Sequence, residues 1–302
     1  MSEQRDGNNI FTRANADSVA QDVNRSMPQN HQMGQNVMTR QDAFTEQYGV
    51  EIPIESVTLP SKGLVYGGSL RGRESLNIRA MTIREEDILT STALMKNGTM
   101  VTQLVRSCLV DKTIDVNSLI SADLNAIMMA CRITGYGTEY EVSVKCPSCE
   151  EQVDYEFDLG QIGLKYLEVQ PVVEYTNVFS FTLPRSKKVV EFKLMTALDE
   201  LNYSKLSESR RKLALKTNSL GETNVSDILK AMIVSVDGKT EAKYIYPFVD
   251  NMPSYDAQKL RNYIKEMSPG IEMSQDFQCK NCGHAAELEV PMTAKFLYPN
   301  LK

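Results

Sequence analysis

Six cysteines occur in this chain, and four of them fall in two C-x-x-C pairs, Cys146-Pro147-Ser148-Cys149 and Cys279-Lys280-Asn281-Cys282. Two such pairs supply the ligand set of a closed tetrahedral zinc site. A thioredoxin-like redox pair has the same spacing but opens a helix in a βαβ setting, and neither pair here is followed by a helical pattern. A secreted disulfide framework is denser in cysteine and usually follows a signal sequence. The opening Met1-Ser2-Glu3-Gln4-Arg5-Asp6 has no apolar run of that kind. The expectation is therefore one structural zinc ion on Cys146, Cys149, Cys279 and Cys282, in a reducing compartment. His31 and His284 are the only histidines, which excludes most histidine-based metal or nucleophile sites. With four cysteines at hand, His284 is expected behind the ligands or on the surface. Cys108 and Cys131, on apolar helix faces, read as buried small hydrophobes.

The flanks say what must hold these sulfurs. Tyr140, Val142 and Val144 alternate before the first pair, and Val153, Tyr155 and Phe157 after it. Phe277 precedes the second pair, and Leu288, Val290 and Met292 follow it with the same period. Each pair thus sits at the tip of a predicted β-hairpin, and Gly283 stands where a tight knuckle needs positive φ. The arrangement is a zinc ribbon split across 129 intervening residues. Closing so long a loop costs about 4 kcal/mol, and a structural zinc site returns on the order of 10–16 kcal/mol. Four thiolates on Zn²⁺ leave a net negative charge that Lys145 and Lys280, each beside a first cysteine, would offset.

Self-comparison reveals an internal repeat. Ser121–Cys149 aligns with Ser254–Cys282 without a gap, at a constant offset of 133. Ser121, Asp123, Ile127, Cys131, Gly137 and Glu139 pair with Ser254, Asp256, Leu260, Ile264, Gly270 and Glu272. Upstream, Thr58-Leu59-Pro60-Ser61-Lys62 matches Thr182-Leu183-Pro184-Arg185-Ser186-Lys187, and Ala80-Met81-Thr82 matches Leu194-Met195-Thr196. The fold expected is α+β: two duplicated modules, 52–160 and 172–295, joined by a linker at 161–171 and by the split zinc ribbon. An N-terminal arm, 1–51, and a short tail, 296–302, flank them. Each module reads as β segments around Leu-Pro, a helix after Met-Thr, a middle helix, a third helix and the zinc hairpin. In the first, Thr82 and Glu85 form a capping box and Gly98 is the stop. The middle helices are predicted over Met100–Val110 and Ser226–Val236, and the third helices start at Ser121 and Ser254. The arm is rich in Gln and Asn, with Met27, Met33 and Met38 scattered. It reads as disordered or as ordered against a neighbouring subunit. Phe296, Leu297, Tyr298 and Leu301 are apolar enough to dock.

Composition narrows the function. The chain has 302 residues, 42% apolar and 24% charged, with a formal charge of −6. It can bury a core, but it is a poor candidate for a broad phosphate-neutralising surface. No stretch approaches the roughly 18 apolar residues of a membrane span. Gly67 and Gly72 are spaced as in a phosphate loop, but Arg73 and Glu74 replace its Lys and Ser/Thr, so a hairpin turn is expected. Arg210-Arg211-Lys212 reads as a solvated helix face, and Glu85-Glu86-Asp87 as helix N-terminal charge. A four-thiolate zinc has no open position for water. No nucleophile–base pair is evident, and the reading is non-enzymatic.

Leu59-Pro60-Ser61-Lys62-Gly63, Tyr66, Ile78-Arg79-Ala80-Met81-Thr82 and Glu85-Glu86-Asp87 occur in order, followed by Asp123, Arg132-Ile133, Tyr136-Gly137, Tyr140 and the first cysteine knuckle. This series resembles the baseplate hub subunit family of T-even contractile-tailed bacteriophages. It does so well over 52–160 and more loosely over the second module, which lacks the Arg-Ile and Tyr-Gly pairs. The resemblance implies a structural or assembly role in a virion tail baseplate, in a protein made in the host cytoplasm. Its partners would be other baseplate, hub and tail proteins in a symmetric assembly, with the arm on neighbouring subunits and neither nucleic acid nor membrane. The alternatives are a zinc-ribbon nucleic-acid-binding or transcription-associated factor, and an assembly chaperone absent from the mature virion. The hairpin acids Glu139, Glu141, Glu150, Glu151, Glu287 and Glu289 speak against nucleic acid.

Overall fold

The computed structural model describes residues 47–217, 225–292 and 294–297. The readings made on Met27, Met33, Met38 and His31, on Tyr298 and Leu301, and on the Arg210-Arg211-Lys212 side chains lie outside what is described. The architecture is mixed α and β, with small antiparallel sheets.

Strand β1 (Ile54–Thr58) pairs antiparallel with β2 (Ser75–Arg79), burying Val57, Leu76 and Ile78. The connection between them is a turn-rich segment beginning at Leu59-Pro60. Gly63 is required there: its φ is +69, and an added Cβ would lie 2.5 Å from the Arg73 backbone. Helix α1 (Ile83–Thr90) starts at the Thr82 capping box with Glu85. The helix expected to run to Gly98 is instead broken at Ser91, which closes α1 and accepts the Leu94 N–H at the start of α2 (Thr92–Asn97). Gly98 then ends α2 with a left-handed φ of 69. Helix α3 (Met100–Cys108) stops short of Val110 because β2 captures the chain. Leu109 bridges to Ile78, and the Val110 N–H donates to the Asn77 carbonyl. Helix α4 (Ser121–Tyr136) starts at the expected serine and buries Leu124, Ile127, Met128 and Cys131. It leads into the hairpin of β3 (Glu139–Lys145) and β4 (Gln152–Asp158).

The stretch read as a linker carries β5 (Gly163–Lys165). Strands β6 (Phe179–Thr182) and β7 (Val189–Phe192) follow, then α5 (Ala197–Thr217). The helix expected over Ser226–Val236 is two elements, α6 (Val225–Met232) and strand β8 (Ile233–Val236). The β-branched run Ile233-Val234-Ser235-Val236 suits a strand, and β8 extends the β6–β7 sheet. Helices α7 (Ala242–Asp250) and α8 (Ser254–Met267) precede β9 (Gly270–Glu272) and the hairpin of β10 (Ser274–Gln278) and β11 (Ala285–Glu289). A short helix α9 (Ala294–Leu297) follows.

The core is one cluster running from Val57 to Phe296. Several contacts among the described residues interleave the halves. Strand β5 pairs with β9, and the Ser121 N–H donates to Met195 O (2.9 Å) while the Ala197 N–H donates to Leu119 O (2.8 Å). Phe296 docks on its own chain, edge-on to Tyr140 at 5.4 Å. Among the described residues no helix is long and apolar enough to cross a membrane.

Candidate metal centre

Alternation along β3 and β4 turns Tyr140, Val142, Val144, Val153 and Phe157 inward and leaves the cysteine pair at the tip. The second hairpin buries Phe277 and half-buries Leu288; Val290 is buried just past its end, but Met292 is 49% exposed, where the expected alternation has lapsed. The two inner faces meet. The Tyr155 ring lies 4.9 Å from that of Phe277, its hydroxyl donates to Asp276 O (3.2 Å), and Gln275 Nε2 donates to Asp158 O (2.6 Å).

Both tips fold the same way. The Cys146 N–H donates to Glu151 O (3.0 Å) and the Glu150 N–H returns to Cys146 O (3.0 Å). In the second, the Cys279 N–H donates to His284 O (2.8 Å) and the Gly283 N–H to Cys279 O (2.9 Å). The matching third residue is left-handed in each, Gly283 at φ 72 and Glu150 at φ 60. The expected positive φ of Gly283 is present, and Glu150 holds it at a steric cost of about 1 kcal/mol.

The four sulfurs expected to share an ion converge. Their ligand atoms all lie within 4.8 Å of one another, with Cys146 Sγ 3.8 Å from Cys282 Sγ and Cys149 Sγ 3.8 Å from Cys279 Sγ. A disulfide needs about 2.05 Å. Four sulfurs at about 2.3 Å from a tetrahedral zinc stand about 3.8 Å apart, so the spacing fits that ion. The Ser148 N–H points at Cys146 Sγ (3.4 Å) and supports a thiolate there. Backbone donation from Cys149 and then Ser148, against burial, holds the Cys146 thiol down to about 6. Against backbone donation from Glu151, burial and proton sharing with Cys146, Cys282 and Cys279 push Cys149 up to about 12. Sulfurs packed this closely give up their protons together only to a cation.

Cys146 and Cys279 are buried, Cys149 is half-buried and Cys282 is exposed. An ion here would therefore seat at the rim of the hairpin pair. Lys145 lies against Glu150 (3.0 Å), and Lys280 reaches across to Asp154 O (3.0 Å), tying the second hairpin to the first. Asn281 Nδ2 adds a bond to Glu151 (2.9 Å). The His284 side chain is exposed and is not part of the sulfur cluster. Cys108 and Cys131 are fully buried in the core, as their helix faces suggest.

Of the three acids expected as helix N-terminal charge, Glu85 and Glu86 have structural partners. Glu85 is buried and pairs with Arg79 (2.6 Å), while also receiving Thr82 and Ser107. Burial opposes its charge, but donation from Arg79, Ser107 and Thr82 prevails and holds its carboxyl down to about 2. Glu86 accepts the Tyr136 hydroxyl (3.0 Å). Asp123 and Asp256, aligned helix residues in the repeat and the first also part of the family resemblance, are both fully buried polar centres. Asp123 accepts the Ser61 N–H (2.9 Å), the Ser61 hydroxyl and the Tyr66 hydroxyl (2.6 Å). Tyr66 in turn accepts the Ile120 N–H (2.9 Å). Asp256 accepts the Arg185 and Ser186 N–H groups (2.8 and 2.9 Å). The available signal was the matched Leu-Pro turn in each half. Buried Arg132 holds Gly137 O (2.8 Å) and Glu139 O (3.0 Å), fixing where the first hairpin leaves α4.

No curated protein and no solved structure matches the chain. A family model described as T4 bacteriophage base plate protein matches residues 53–298. That span covers most of the 302 residues, including both hairpins and both Leu-Pro turns, and the chain belongs to the T4 bacteriophage base plate protein family.

Proposed function

We propose that this chain is a non-enzymatic component of the tail baseplate hub, working through protein–protein contacts, with its halves clamped by one zinc ion on Cys146, Cys149, Cys279 and Cys282. The observation that carries the reading is the meeting of four sulfurs, from hairpins far apart in sequence, within 4.8 Å. A clamp of this kind gives rigidity at a hairpin pair that otherwise rests on a few aromatic and polar contacts, which suits a part under load in an assembly.

The two halves are copies of one ancestral module in this reading. Arg79, Thr82 and Glu85 make an ion pair and helix start that Lys193, Thr196 and Asp199 repeat at matching positions. The Asp123 and Asp256 networks and the paired knuckles support the same reading.

Elemental analysis of the purified full chain tests the clamp. About one zinc per chain is expected, falling to none in Cys279→Ser, and unchanged metal in that variant refutes the assignment. Mass spectrometry of purified virions tests the role. Stoichiometric presence is expected of a structural component, and absence would make the chain an assembly chaperone.

A further inference from the structure

The outer face of the β3–β4 hairpin is arranged against its own stability. The register sets Glu139 directly opposite Asp158 and Glu141 directly opposite Glu156, all exposed. Like charges in directly opposed positions destabilise a strand pair. Asp158 is partly engaged by the Gly160 N–H (2.9 Å), and Asp154 on the same face by Ser143. Among the described residues no lysine or arginine forms an ion pair with Glu139, Glu141 or Glu156.

A surface of opposite character lies on the second half, along the ends of β7 and β8. Tyr244 on α7 is 46% exposed, with the ammonium groups of Lys239 and Lys243 at 4.9 and 5.0 Å from its ring. Tyr255 on α8 is 41% exposed, with Arg185 at 5.0 Å and Lys259 at 5.6 Å. Backbone and side-chain contacts join the two tyrosines into a strip. The turn of Lys239 is tied to Val189 through Asp237, which also pairs with Lys188 (2.7 Å). The Leu183–Lys188 turn is tied to α8 by Asp256, next to Tyr255. Lys243 pairs with Glu241 (2.5 Å), while Arg185 and Lys239 feel Asp256 and Asp237 only at longer range, and Arg185, Lys187, Lys239 and Lys259 form no ion pair among the described residues.

We propose that copies of this chain associate front to back, the acidic β3–β4 face of one seated on the lysine–tyrosine strip of the next. Charge complementarity selects the occupant: the strip calls for a carboxylate-rich surface, and the chain carries one in Glu139, Glu141 and Glu156, which pair with no lysine or arginine among the described residues. Exposed tyrosines under cationic groups supply contact area at low entropic cost, and such residues are enriched at interface cores. The two surfaces differ, so the contact is heterologous and repeats from copy to copy, as in a ring.

Sedimentation of the metal-loaded full chain tests this. Concentration-dependent association is expected at low salt, and its loss at about 0.5 M salt, where charges are screened within a few ångströms. The double variant Glu141→Lys, Glu156→Lys should weaken association by about two orders of magnitude, as should Arg185→Glu, Lys239→Glu. Mixing the two variants should restore it. Glu141→Gln, Glu156→Gln should lose association while keeping or raising the melting temperature, which separates a lost interface from a lost fold. A chain that stays monomeric throughout, or association indifferent to both double variants, overturns the proposal. So does retention of a DNA oligonucleotide that Arg185→Glu, Lys239→Glu abolishes while self-association is unmoved.

Discussion

Asp123 grips Ser61 across 62 residues of chain, through both the backbone N–H and the hydroxyl of the serine. The bond anchors the first Leu-Pro turn to the start of α4, and Asp256 does the same for the second turn. Burial raises the Asp123 carboxyl from the ordinary 3.8 to about 6, against donation from Ser61 and Tyr66. A folded-state value above the unfolded one means that the folded chain binds the proton more tightly. Its contribution is full below about pH 4 and is lost as pH rises through about 6. Asp123→Asn keeps an acceptor and should cost about 1 kcal/mol, while flattening stability between those pH values. Asp123→Ala strands Ser61 and Tyr66 and should cost about 3 kcal/mol. Denaturant melts at a series of pH values check both.

Glu85 carries the opposite sign. Its carboxyl is held down to about 2 against an ordinary 4.5, so its contribution is present above about pH 4.5 and is lost as pH falls toward 2. Glu85→Gln leaves Arg79 short of its charged partner in a site where the arginine side chain is 15% exposed. A loss of about 3 kcal/mol at neutral pH is expected. The gap to the parent should narrow below pH 4.5 and close only as pH falls through about 2, and a gap independent of pH would count against the ion pair as its source.

The hairpins and their cysteines were legible because both signals are local: period-two alternation, and ligand spacing within four residues. The third helices were legible for the same reason, each opening on a serine ahead of an apolar face. What escaped needed distant chain. Ile233–Val236 follows α6 with no breaker, and only pairing with β7, more than forty residues upstream, turns it into a strand. Strands β5 and β9 span three residues each, too short to show a period. Nothing near Asp123 in sequence announces that a proline turn will lie over it. Ser91 is a further case, since one serine both ends a helix and caps the next without any glycine or proline to mark the break.

Gly283 and Glu150 make a matched pair of tests at the knuckles. Nothing lies within 4 Å of where a Gly283 side chain would start, so Gly283→Ala meets only backbone strain at φ +72. A loss of about 1 kcal/mol is expected, with zinc content unchanged. Glu150→Gly removes the same strain but loosens the unfolded chain, and its exposed pairing with Lys145 is worth little. It should move stability by no more than about 0.5 kcal/mol. A Gly283→Ala variant as stable as the parent would mean that the second knuckle relaxes its turn.

On the proposed zinc clamp, a chelator should separate the hairpin junction from the core. The hairpins touch through Tyr155, Phe277, Gln275 and Lys280, whereas α4 and α8 are anchored by fully buried Ile127, Ala130 and Leu260 in the continuous core. A chelator should therefore lower the melting temperature by about 10 °C or more while leaving most of the helical circular dichroism at room temperature. Hydrogen exchange should localise the change. Amides of 139–158 and 274–289 lose protection, those of α4 keep it, and returning zinc restores the hairpins. Uniform loss across α4 and α8 would mean instead that the ion holds up the whole core.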